Sequence, residues 1–184
     1  MSERSPEQQI VLTSVDGSVQ LRQLMPADAQ AQFDLLQGDP SYLAQFTEDP
    51  ETSYGSPDAI RAQIEQSLAS DDSYRFGIWD TGQETGTPTM VGAVELTLMG
   101  NNRAAIATWV GRAHAGHGYG SRASEPLAEF AFNDLGLTQL FRKIREDNTA
   151  SRRMAENAGF TLDRISPAGI ATYVLNRPGS EMYD

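Results

Sequence analysis

Trp109-Val110-Gly111-Arg112-Ala113-His114-Ala115-Gly116-His117-Gly118-Tyr119-Gly120-Ser121-Arg122-Ala123 is the stretch on which the fold turns. An apolar strand pattern, Ala104 to Val110, runs into a loop with glycines at 116, 118 and 120, and a helical pattern starts directly behind it. Strand, glycine loop and helix start, in that order, describe an anion site. The first amides of a helix have no partners within it and carry the positive end of its dipole, and glycines let a phosphate approach the backbone. A pyrophosphate fits there. Taken alone, the same glycines serve equally well to turn the chain and let two elements pack closely.

Further along, a strand-like run from Leu140 to Arg145 leads into Asn148-Thr149-Ala150-Ser151-Arg152-Arg153-Met154-Ala155-Glu156-Asn157-Ala158-Gly159-Phe160. The two stretches together resemble the GNAT superfamily of acyl-CoA-dependent N-acyltransferases, within it the branch of ribosomal-protein-alanine acetyltransferases and their small-molecule-modifying relatives. The family loop, Gln/Arg-x-x-Gly-x-Gly/Ala, finds its two small positions in Gly118 and Gly120. The second signature, Asn-x-x-Ser/Ala with Gly-Phe closing the same helix, falls on Asn148, Ser151, Gly159 and Phe160. The resemblance spans roughly residues 15 to 175. Three positions depart from it. Ala115 stands where the family has Gln or Arg, Arg122 where this branch often has Glu, and Ala155 where many members carry the Tyr that protonates the departing thiolate.

The resemblance implies acetyl-CoA (coenzyme A) as the acyl carrier. Its pyrophosphate would lie on the loop formed by Ala115, Gly116, His117, Gly118, Tyr119, Gly120 and Ser121. Its pantetheine arm would pair with Thr108, Trp109 and Val110 like an added strand, and the Val110 amide would face the oxyanion. Asn148 would touch the arm. Without the tyrosine, Ser151 is the candidate for delivering a proton to sulfur; its other reading is a hydroxyl serving the first turn of the helix that Asn148 caps.

Composition bounds the alternatives. A chain of 184 residues is one domain by default, long enough to bury a substantial core. With no cysteine there is no disulfide, thiolate zinc site or cysteine nucleophile, and two histidines, His114 and His117, are a poor basis for a metal site. No metal is expected. The polar start and the absence of a long apolar run lead to the expectation of a cytoplasmic protein without a membrane partner. A formal charge of −11 disfavours nucleic acid, which is bound through a basic footprint. Positive charge is nevertheless gathered late in the chain: Arg103, Arg112, Arg122, Arg142, Lys143, Arg145, Arg152, Arg153 and Arg164 all lie beyond residue 100. That asymmetry suits an anionic carrier in the second half.

Read in order, residues 1–9 are a polar tail, residues 10–176 an acyltransferase-like domain and residues 177–184 a C-terminal tail. Ile10 to Thr13 and Val19 to Leu24 flank an Asp16-Gly17 hairpin turn. Pro26 opens a helix carrying Ala29, Phe33 and Leu36. Tyr42 to Phe46 reads as a short helix, and Thr47 to Gly55 as an acidic loop that in the family overlies the acceptor. Ser56-Pro57-Asp58 starts a helix with Ile60, Ile64 and Leu68 on one stripe. Tyr74 to Trp79 and Met90 to Met99 are strands, the latter with Val94, Leu96 and Leu98 on one face and Val91, Ala93, Glu95 and Thr97 on the other. Behind the glycine loop, Ala123, Leu127, Phe130, Ala131 and Leu135 mark a helix ended by Gly136. Pro126 within it predicts a kink or an irregular first turn. Thr161 to Ile165 and Ile170 to Leu175 form a last antiparallel pair. The expected fold is α+β (mixed α/β), a single GNAT-like domain. A central, mostly antiparallel sheet of about seven strands, with a splayed parallel pair, is flanked by about four helices.

Acyl transfer from a thioester to an amine also requires a neutral amine, and a carboxylate can take its proton. Glu95 is the first candidate; Glu48 and Asp49 on the acidic loop are the second. Two function classes stand. The first is an acetyl-CoA-dependent N-acetyltransferase acting on a primary amine, either a protein N-terminus or a small molecule, by direct attack in a ternary complex. The second is an acyl-CoA-binding module of the same fold with weakened chemistry, motivated by Ala115, Ala155 and the absence of an obvious acid between Ala104 and Val110. A nucleotide-binding domain would need Lys-Ser/Thr after the glycines or a ribose-binding acid, and neither is evident. The branch also admits a homodimer.

Overall fold

The computed structural model describes residues 9–36, 54–82 and 86–179. The predicted helix at Tyr42 to Phe46 and the acidic loop up to residue 53, with Glu48 and Asp49, lie outside them. Eight strands form one sheet: β1 (Val11–Thr13), β2 (Val19–Gln23), β3 (Ser73–Asp80), β4 (Thr89–Leu98), β5 (Arg103–Val110), β6 (Gln139–Arg145), β7 (Thr161–Ile165) and β8 (Ile170–Asn176). Their spatial order is β1-β2-β3-β4-β5-β6-β8-β7. Every neighbouring pair is antiparallel except β5 and β6. The strand beyond the expected seven is β1, held by its turn: Asp16 Oδ1 accepts from the hydroxyls of Ser14 and Ser18 and from the Ser18 amide, and Gly17 takes a positive φ of 70°.

Helices α1 (Ala29–Leu36) and α2 (Pro57–Ala69) cover one face of the sheet. The start of α2 follows the reading of its sequence: the Ser56 hydroxyl accepts from the Ala59 amide at 3.1 Å, Pro57 supplies the first helical φ, and Ile60 and Ile64 are wholly buried. They pack with Leu24, Ala29, Leu36, Met90, Ala93 and Trp109. Helices α3 (Tyr119–Glu129) and α4 (Thr149–Asn157) cover the other face, over the larger core built on Leu21, Phe76, Leu96, Ile106, Leu127 and Leu140. The sheet is thus a wall between two cores.

Two local expectations change. In β4 the alternation breaks: Ile78 pairs with Gly92 but Trp79 pairs with Met90, so Val91 is bulged out of register. The bulge turns Val91 onto the α3 face with Val94 and Leu96, whereas strict alternation puts it with Ala93. In α3 the helix runs without interruption through Pro126, and the departure comes later, as a π turn over Phe130–Asp134 in which the Leu135 amide reaches the Phe130 carbonyl at 3.1 Å. The wide turn carries three consecutive residues, Phe130, Ala131 and Phe132, into the core. Gly136, with φ 69°, closes the segment as read from the sequence.

The feature that makes room for a site is the parallel pair. β5 and β6 are joined only at Arg103↔Gln139, Ala104↔Leu140 and Ala105↔Phe141. From there β5 continues to Val110 against β4, β6 continues to Arg145 against β8, and the two diverge. No helix among the described residues is long and apolar enough to cross a membrane.

Candidate active site

The divergence opens a cleft of about 490 Å³. It brings Glu95 on β4, Thr108 and Trp109 on β5, and Asn148 and Ser151 at the start of α4 into one cavity. These residues are far apart in sequence and were all singled out from it. Val110 and the loop from Ala115 to Ser121 are not in the lining; they follow the end of β5 and lead into α3.

The glycines divide into two kinds. Gly116 and Gly118 turn the chain, with φ of 81° and 76°, and a Cβ on either would stand in nearly open space. Gly118 is the N-cap of α3 and offers no side-chain acceptor to the helix's first amides, leaving their positive end for a ligand. Gly120 is a packing glycine: a Cβ there would collide with Met154 Sδ and lie 3.7 Å from Thr108 Cγ2. Because Met154 and Thr108 both line the cleft, this contact seats the first turn of α3 against the cavity. An anion on those amides is therefore next to the cleft.

Around the loop, the remaining side chains are occupied structurally. Arg122 donates to Ser18 Oγ at 2.6 Å and to the His117 carbonyl at 2.8 Å, and stacks over the Tyr119 ring; it fastens the loop to the β1–β2 turn. Tyr119 donates to Asp80 Oδ2 at 2.6 Å, and that bond, helped by the Gly82 amide, holds the Asp80 carboxyl below its usual pKa. The His117 ring folds back so that Nδ1 lies 3.1 Å from the Ala115 carbonyl, and His114 meets Tyr119 edge-on. Asn148 caps α4 by accepting from the Ser151 amide at 3.0 Å.

Glu95 does not stand alone. On the α2 face, Oε2 accepts from Arg75 Nη2 at 3.0 Å and Oε1 from Ser73 Oγ at 3.1 Å, while Arg75 Nη1 donates to Gln63 Oε1 of α2 at 2.7 Å. Arg75, Glu95 and Ala107 are register partners across β3, β4 and β5, so the carboxylate stands beside the strand that borders the opening. Tyr54 shares this side of the cleft; burial pushes its phenol pKa up, against the pull of Arg75.

The residue missed from the sequence is Arg142. It lines the cleft from β6 yet is only 3% exposed, on the opposite, α3 face of the sheet. Its Nη1 donates to Thr108 Oγ1 and its Nη2 to Ser124 Oγ, both at 2.8 Å, and the guanidinium lies over the Phe160 ring at 4.9 Å. Nε is buried with no partner, and among the described residues no carboxylate pairs with it. Burial pulls its pKa down to about 10, which leaves it a cation at neutral pH. A signal was present in the sequence. Leu140, Arg142 and Ile144 occupy one face of a strand by simple alternation, and an arginine in an aliphatic row is an anomaly. Among the described residues no group of three or more acids and histidines is placed to hold a metal ion.

Comparison with known proteins agrees with this geometry. The family described as acetyltransferase (GNAT) domain matches residues 18–161. The chain is 25% identical over 154 residues to "Probable N-acetyltransferase YjcK" of Bacillus subtilis, covering 81% of this chain and 83% of that protein. Among solved structures, RimL, a ribosomal L7/L12 α-N-protein acetyltransferase in complex with coenzyme A, superposes with a TM-score of 0.78 at 17% identity, covering 91% of this chain and 98% of that one. RimJ of Mycobacterium smegmatis, in complex with CoA-disulfide, gives 0.77 at 18% identity, covering 96% and 90%. With the family match running over most of its length, the parted β5–β6 pair and the glycine-capped α3 beside it, the chain belongs to the GNAT acetyltransferase domain family.

Proposed function

We propose that the protein transfers an acetyl group from acetyl-CoA to a primary amine, a protein N-terminus or a small molecule, by direct attack within a ternary complex. The observation that carries this reading is the junction at Gly120. There the start of α3, which has no side-chain cap, packs onto Thr108 and Met154, so a diphosphate held by backbone amides puts the attached arm at the parted strands. The residues present fit the carrier. Ala115 supplies no side chain to the phosphates, but Gly116 and Gly118 leave the backbone unobstructed.

Within the cleft the two faces divide the work. Glu95, on the α2 face, takes the proton from the incoming ammonium directly or through a water, and Arg75 and Ser73 hold its carboxylate in place. Thr108, Trp109 and Val110 border the arm along the edge of β5 that β6 has left. Ser151, in the first turn of α4, lines the cleft and in this reading delivers the proton to the departing sulfur. Holding amine and thioester in one geometry supplies much of the rate, so the base need not be strong.

Calorimetry with coenzyme A, followed by thiol release from acetyl-CoA with a panel of N-terminal peptides and small amines, tests this. Micromolar affinity and release that depends on one class of amine are expected. Absence of coenzyme affinity would sink the proposal, and binding without turnover on any amine would leave the binding module as the better description.

A further inference from the structure

A buried guanidinium without a carboxylate needs an explanation, because an unpaired charge in the interior is strongly unfavourable and such groups gather at functional sites. Among the described residues Arg142 has only neutral company. Thr108 and Ser124 offer hydroxyls, Phe160 a ring, and Tyr173, its register partner on β8, directs its hydroxyl away to Glu156 and accepts from Arg152. The other charges along the cleft are compensated or wet. Arg75 is paired with Glu95, Arg145 with Asp147, and Lys143 is exposed. Among the described residues the cleft therefore contains one desolvated, uncompensated positive charge, held at the point where β5 and β6 separate.

We infer that Arg142 is the counter-charge for the sulfur that leaves during acyl transfer. The inference rests on the acetyl-CoA reading given above. In that reaction the amine nitrogen bonds to the carbonyl carbon, the C–S bond breaks, both of its electrons stay on sulfur, and the proton lost by the amine is returned to it. In a chain with Ala155 at the place of the usual thiol acid, sulfur carries its negative charge until that proton arrives. A guanidinium in a low-dielectric wall stabilises such an anion without contacting it, since its field is not screened by water or cancelled by a carboxylate. Its bond to Thr108 ties the charge to the strand that borders the arm. Arg142 is in this sense a positioning residue for charge, and Ser151 or a water delivers the proton.

The readout is the thiol of bound coenzyme A, titrated through the ultraviolet absorbance of its thiolate in the binary complex, with desulfo-coenzyme A as the blank. In the wild-type complex the thiol is expected to ionise about one unit or more below its value free in the same buffer. Arg142→Met should return it toward the free value, and Arg142→Lys should retain most of the shift. Equal affinity of desulfo-coenzyme A for wild type and Arg142→Met would show that the carrier site is intact. An unshifted thiol in the wild-type complex overturns the inference while leaving the acetyl-CoA reading in place, and so does a shift that survives Arg142→Met. Failure of wild-type protein to bind coenzyme A overturns the reading and the inference together. Should Arg142→Met not fold, the wild-type titration and Arg142→Lys decide.

Discussion

Two arginines border the same cleft in opposite circumstances. Arg75, on the α2 face, meets Glu95 at 3.0 Å and Gln63 at 2.7 Å, in a site where the glutamate side chain remains 32% exposed. Arg142, on the α3 face, is buried against two hydroxyls and a ring. A half-solvated ion pair keeps its charges near balance and contributes modestly to stability. An unbalanced buried cation does neither. The sheet therefore presents a neutralised face to one side of the opening and a positive one to the other, and a reaction that moves a proton off an amine and leaves charge on sulfur has use for both.

The largest expected effect comes from removing the unbalanced charge. Arg142→Met should lower turnover by about a few hundredfold, the range seen when a preorganised charge stabiliser is lost. Stability should change by no more than about 2 kcal/mol, because an apolar chain replaces a charge that had no counter-ion. Steady-state kinetics and urea denaturation measure both. A loss of stability well above that with little change in turnover would make Arg142 a structural strut and end the contrast.

Next is the balanced side. Glu95→Gln should reduce turnover by about a hundredfold or less at neutral pH, the low end for general bases, with the deficit narrowing as pH rises and the amine sheds its proton unaided. A deficit that is constant across the pH–rate profile would mean that Glu95 serves only to hold Arg75.

The glycine loop sharpens the contrast on the α3 face. Gly120→Ala forces a methyl into Met154 and should destabilise by about 1–3 kcal/mol. Gly118→Ala places a side chain at φ 76° and should destabilise by about 1 kcal/mol or more, while weakening coenzyme affinity in calorimetry. If Gly120→Ala were the milder change in thermal denaturation, α3 would not be seated on the cleft as described.

The smallest effect is expected at Asp16, an exposed acid of the β1–β2 turn that lies 4.0 Å from Arg122 and outside the cleft lining. The Ser14 hydroxyl, then the Ser18 amide and hydroxyl, pull its pKa down to about 2. A depressed carboxylate adds stability that is complete above its unfolded value of about 4. That increment is lost as pH falls from there through about 2, so NMR titration should find Asp16 ionised at pH 3. Ordinary titration near pH 4 would show that the hairpin turn is not organised by its carboxylate.

Much of the site was legible because its markers are local. A strand ending in glycines before a helix, and an asparagine three residues ahead of a serine at a helix start, state their own geometry: Gly118 is a left-handed N-cap and Asn148 does bond the Ser151 amide. The roles that depend on distant neighbours were not legible. Gly118 and Gly120 look alike in a motif, yet one turns the chain and the other makes room for Met154 from a helix thirty-odd positions away in sequence. Val91 follows strict alternation on paper and escapes it through a bulge opposite Ile78 and Trp79. Arg142 counted only as one of many late cations, because nothing local says that Thr108 and Ser124 will close over it.

By itself, then, the order of residues determined most of the helices and strands and which helix starts without a side-chain cap, since period, capping and glycine conformation act over a few residues. Tertiary structure decided where the strands part, which carboxylate is already engaged and which cation has no counter-charge among the described residues. Those are properties of pairs brought together across the sheet, and the energy of a charge depends on what surrounds it rather than on what precedes it in the chain.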